Sequence, residues 1–162
     1  MVLLLIILAG PVIAFGLIGY GGTTLARRRE GGVRTVHGLA ALAGAGAAAM
    51  YTWGALHVGM AVMDADDSGA GSAPIRPCRA AGNEKAMEVV GYEVHYLPLD
   101  FVCHVPGGRD YTVDTVPGYV TPAASALGLT AVALPLSTAF AAEFRARRSR
   151  NGGPDREPQR SQ

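Results

Sequence analysis

Three long stretches without a single Asp, Glu, Lys or Arg constrain this chain more than any motif in it. They run from Met1 to Ala26, from Thr35 to Met63 and from Thr115 to Ala142. A bilayer core about 30 Å thick is crossed by roughly 20 helical residues, and each stretch exceeds that. In hydrocarbon every backbone N–H and C=O must find its partner within the chain, which leaves helices and closed barrels. A barrel needs alternating segments of about ten residues, and no such alternation runs through the sequence. The expected fold is a mainly α membrane protein with three transmembrane helices, at residues 1–26, 35–63 and 117–143.

A cleaved signal peptide would place positive charge before a short apolar stretch. Here nothing basic precedes Val2, and Arg27, Arg28 and Arg29 follow the stretch, so an uncleaved span is expected. The second stretch is rich in Ala and Gly and competes with a soluble Ala-rich helix. Its length, and Tyr51 and Trp53 near its end, favour a span, since Trp and Tyr collect at membrane interfaces. Composition agrees: 49% of residues are hydrophobic and only 17% charged, and a soluble domain carries more charge than that.

Charge placement sets the orientation. The connector at residues 27–34 has four arginines and one acid, and the tail from Glu143 has six arginines and three acids. The long loop from Asp64 to Asp114 has four basic and nine acidic residues. Arg and Lys are retained on the cytoplasmic side. The connector and tail are therefore expected inside the plasma membrane, and the N-terminus and long loop outside. The tail, residues 144–162, is Arg-, Gly- and Pro-rich with almost nothing to bury, which predicts a disordered cytoplasmic segment. Its basic cluster serves as a topology determinant and can also attract anionic lipid head groups. A net charge of +1 gives no reason to expect nucleic acid.

The outer loop divides in two. Residues 64–76 read as a flexible polar linker that lets the rest of the loop move relative to the helices. Residues 77–116 read as a small β unit. Val90, Tyr92, Val94 and Tyr96 recur at every second position, a strand signal. Residues 101–105 and 111–116 flank Pro106-Gly-Gly-Arg-Asp110, whose glycines supply the positive φ of a tight connection. A hairpin preceded by one more strand is expected. Such a unit is too small to be stable on apolar burial alone. Cys78 and Cys103, the only cysteines, both lie in it. A disulfide between them fits an oxidising compartment and is worth roughly 3 kcal/mol through loop closure. A pair of free ligand or redox thiols is the competing reading.

Little else carries chemistry. Cys78 and Cys103 lack the Cys-x-x-Cys spacing of thiol oxidoreductases. His95, Asp100 and His104 lie near one another in sequence, but strand alternation does not force the imidazoles together as zinc would need. His37 and His57, on the second span, are about 30 Å apart at helical rise and cannot share a cofactor. No phosphate-loop, nucleophile-elbow or zincin motif occurs. Gly16, Gly19, Gly38, Gly46 and the Ala124/Gly128 pair are expected to bring helices close, and Pro122 and Pro135 to kink the third span.

The stretch Tyr96-Leu-Pro-Leu-Asp-Phe-Val-Cys103, then Pro106-Gly-Gly-Arg109, then Val116-Pro-Gly-Tyr-Val-Thr-Pro122, resembles small actinobacterial integral membrane proteins of unknown function. In those, a Tyr-Pro segment leads to a Cys, a Gly-containing turn and a Val-Pro lead-in to the last helix. The resemblance supports the disulfide and hairpin and implies no activity.

These features point to a non-enzymatic integral membrane protein that presents a small extracytoplasmic interaction unit to a membrane or cell-envelope partner. The expected contacts are Tyr92, Tyr96 and Tyr111, read as exposed aromatics; no cofactor, metal or catalytic residue is assigned, and oligomeric state is left open. A subunit of an oligomeric or multi-chain transporter or channel is the alternative. An enzyme using the outer histidines is a third.

Overall fold

The structure, a computed structural model, describes residues 1–27, 32–67, 75–81 and 86–151. Helix α1 spans Val2–Ala26, α2 Gly32–Asp67 and α3 Val120–Asn151. Between α2 and α3 come a short 3-10 helix, Arg76–Ala81, and the strands β1 Gly91–Tyr96, β2 Leu99–His104 and β3 Tyr111–Val113. All three α-helices are long and apolar enough to cross a membrane.

The helix ends correct two expectations. Residues 64–67 belong to the last turn of α2 and not to a linker, because no Gly or Pro interrupts the chain before Gly69. The rest of that linker lies largely outside the described residues. At the other end, residues 144–151 continue α3 and are not disordered. Ala and Arg are good helix formers, and Arg147 pairs with Glu143 one turn back at 2.6 Å. Residues 152–162 lie outside the described part. Helix α3 begins at Val120, whose N–H reaches the Pro117 carbonyl at 2.9 Å.

Helix α2 is the central element, with α1 and α3 packed on it. Small residues permit the approach. A Cβ on Gly21 would lie 2.9 Å from the Gly38 carbonyl oxygen, and one on Gly46 would lie 3.1 Å from Leu127. Gly16 and Gly19, expected at contacts, face open space. An apolar helix without a polar face gives no sequence signal for which side meets its neighbour.

The sheet is a three-stranded antiparallel meander in the order β1-β2-β3, as the expected hairpin plus strand required. Gly107 and Gly108 take φ of +92° and +74° in the β2–β3 connection. Pairing sets Tyr92 opposite Cys103, Val94 opposite Phe101 and Tyr96 opposite Leu99. Cys103 also faces Tyr111 on β3. These residues share one face, and that face is packed on α2. Tyr51, Ala55, Val58, Val62 and Ala65 recur every three or four residues along α2 and meet Leu99, Phe101, Cys103 and Cys78 in the buried core. Leu3, Ile6 and Ile7 of α1 close its edge. A Cβ on Gly54 would lie 2.9 Å from Leu99 and 3.0 Å from Val120, so sheet, α2 and the start of α3 converge there. The Tyr51 hydroxyl donates to the Tyr96 carbonyl at 2.7 Å. The β unit is therefore docked along the helix.

Candidate functional site

The docked face of the sheet holds the staple. Cys78, in the 3-10 helix, is bonded to Cys103 on β2, with Cα atoms 6.1 Å apart. Both are fully buried. The Tyr111 hydroxyl donates to the Cys78 carbonyl at 2.8 Å, tying the 3-10 helix to β3 as well. Tyr92 stacks on Phe101 with ring centroids 5.0 Å apart and donates its hydroxyl to Asp66 at 2.7 Å. That hydrogen bond, with burial adding to it, pushes the Tyr92 phenol up to about 12. Burial raises Tyr111 as well.

The three tyrosines read as exposed contacts thus occupy a different environment. Tyr92, Tyr96 and Tyr111 are half-buried against the core. The Tyr92 and Tyr111 hydroxyls are used within the fold. In sequence they alternate with polar residues, and that pattern reports two faces without saying which one a helix will cover.

The opposite face is the more open one, although Val102 at its centre is buried. It carries Glu93, Val102 and Thr112 in one cross-strand row, with His95 opposite Asp100 and Gly91 opposite His104. Glu93, His95 and Thr112 are exposed. His104 is held on both sides: Nδ1 meets Asp110 at 2.8 Å and Nε2 meets Glu93 at 3.3 Å. A carboxylate can only accept, so bonding through both ring nitrogens calls for the imidazolium. The Asp110 hydrogen bond, seconded by Glu93, accordingly raises the His104 pKa above its ordinary 6.5. Asp110 also accepts the Val105 backbone N–H at 3.0 Å. That bond, followed by the one to His104, lowers the Asp110 carboxyl below its ordinary 3.8. Arg109 in the turn reaches Glu88 at 3.7 Å.

His95, Asp100 and His104 are not brought to one point. His95 pairs across the ladder with Asp100, while His104 takes Glu93 and Asp110. Among the described residues no three His, Cys, Asp or Glu side chains are arranged to hold a metal. His37 and His57 each bond through Nδ1 to the carbonyl one turn back, Val33 and Trp53, at 2.9 Å. Glu93 and Asp110 are the partners that sequence reading missed. Strand alternation put Glu93 on the side away from Tyr92, and Asp110 closes the glycine turn; only the register of β1 on β2 brings both to one imidazole.

No protein-family model matches the sequence, and no curated protein and no solved structure matches it either. What the arrangement offers chemically is a rigid, charged, solvent-facing sheet surface backed by a disulfide and clamped to a long apolar helix.

Proposed function

We propose that the chain is a multi-pass plasma-membrane protein whose stapled sheet serves as a fixed recognition surface on the extracytoplasmic side, engaging another membrane or cell-envelope component without catalysing a reaction. The observation that carries this reading is the docking of the sheet on α2 through Leu99, Phe101 and Cys103. A surface held this way presents its polar face without an ordering cost on binding. The orientation follows from the two arginine-rich segments in the sequence, of which Arg27 and Arg34 lie at the end of the bundle away from the sheet. Trp53 and Tyr119 are exposed near the point where the sheet meets α2 and α3, as residues of an interfacial aromatic belt would be. Contacts belong on the free face, at Glu93, His95, Asp100 and Thr112.

A photo-reactive amino acid placed at Thr112 tests this in intact cells. Capture of one discrete envelope species there, and not from Leu129 on the apolar surface of α3, supports a recognition face. Identical products from both positions would remove it.

A further inference from the structure

At the end of the bundle remote from the sheet, the last turns of α1 and the first turns of α2 frame a cleft of about 520 Å³ lined by Tyr20, Thr23, Thr24, Arg27, Arg34 and His37. Tyr20, Thr23, Thr24 and Arg27 fall at i, i+3, i+4 and i+7 and so share one face of α1. Those three hydroxyl-bearing residues are the only ones in a helix that is otherwise apolar. Arg34 and His37 stand one turn apart on α2. The close approach of the two helices at Gly21 and Gly38 draws these faces together.

The groups around the cleft suit an anion. Arginine presents a planar fork that matches phosphate oxygens two at a time. His37, which also lines the cleft, is held by its Nδ1–H donating to the Val33 carbonyl at 2.9 Å. Thr23 and Thr24 each donate a hydroxyl to the Tyr20 carbonyl, at 3.0 and 2.7 Å, which leaves the arginines and the Tyr20 hydroxyl as the donors of the cleft. Among the described residues the Tyr20 hydroxyl has no hydrogen-bond partner. Arg27 and Arg34 bring two positive charges to the lining of the cleft. Arg27 follows directly on the last apolar residue of α1, so the cleft sits where hydrocarbon gives way to head groups.

We infer that this cleft binds a phosphate group, that of an anionic phospholipid of the adjoining leaflet or free phosphate. The inference rests on the membrane-spanning part of the proposed function and is independent of what the sheet recognises. The test uses the full-length protein in phosphatidylcholine vesicles carrying a trace of spin-labelled phosphatidylglycerol or spin-labelled phosphatidylcholine. Motional restriction of each label reports association. Preference for phosphatidylglycerol is expected, reduced on the order of tenfold by Arg27→Gln with Arg34→Gln. Arg76→Gln with Arg109→Gln, in the β unit at the far end of the molecule, is expected to keep the preference. Tyr20→Phe, which leaves every charge in place, is expected to weaken it modestly and guards against a folding defect in the double variant. Calorimetric titration of the detergent-solubilised protein with inorganic phosphate separates the sources: binding lost in the Arg27/Arg34 variant, without a lipid preference, assigns free phosphate. If neither lipid preference nor phosphate binding depends on Arg27 and Arg34, the inference falls. If the protein is released from membranes by alkaline carbonate, the spanning reading falls with it.

Discussion

His104 sits between two carboxylates, and the direction of its response to acid is set by them. Its pKa is raised above 6.5, so its contribution to the sheet is complete below that pH and is lost as pH rises through the elevated folded value. The Asp110 pKa is lowered below 3.8, so its contribution is complete above that pH and is lost as pH falls through the depressed folded value. The strap across β1, β2 and the glycine turn is therefore firmest between the two. NMR titration of the imidazole is expected to give a midpoint above 6.5, with the decline in stability that sets in as pH rises past 6.5 abolished by His104→Gln. A midpoint below 6.5 would mean that the carboxylates do not hold the ring. Tyr111→Phe removes the hydroxyl that holds the Cys78 carbonyl and should cost about 1 kcal/mol in thermal unfolding of the β unit. At this scale the sequence revealed which residues are polar and which cysteines would pair. It did not reveal that His104 would take Glu93 and Asp110, because those contacts depend on a register between strands.

Among the elements, α2 does most to determine the shape. Its apolar stretch, like those of α1 and α3, could be read directly, since length without charge leaves the chain few alternatives. Its continuation to Asp67 could not, because the polar residues that suggest a linker are also tolerated in an exposed helical turn. The same holds for α3, where an arginine-rich tail proved compatible with helix as far as Asn151. Gly54 is the point at which element packing can be tested. Gly54→Leu drives a side chain into Leu99 and Val120 and should cost about 1–3 kcal/mol by overpacking. Faster reduction of the Cys78–Cys103 bond by a mild thiol would report the loosened sheet; an unchanged rate would show that the sheet does not depend on this contact. Cys78→Ala with Cys103→Ala should lower the stability of the β unit by about 3 kcal/mol, measured as resistance to protease.

At the scale of the whole molecule, α2 is longer than a bilayer core requires. Its 36 residues reach about 54 Å at helical rise, against a core of about 30 Å. The stripe from Tyr51 to Ala65 on which the sheet is seated overlaps the later part of the charge-free stretch 35–63 and runs on toward the helix end, so one helix is both a candidate span and a mast. This explains how a β unit of about forty residues, too small to stand alone, acquires a core: Ala55, Val58 and Ala61 of a long apolar helix complete it. The sidedness of that mast is the most direct test. Thr112→Cys, on the free face of the sheet, and Arg148→Cys, near the end of α3, would each be exposed to a membrane-impermeant maleimide in intact and in permeabilised cells, with the native disulfide retained. Labelling of Thr112→Cys in intact cells, and of Arg148→Cys only after permeabilisation, is expected. The reverse pattern would place the sheet in the cytoplasm and overturn both the orientation and the extracytoplasmic recognition surface built on it.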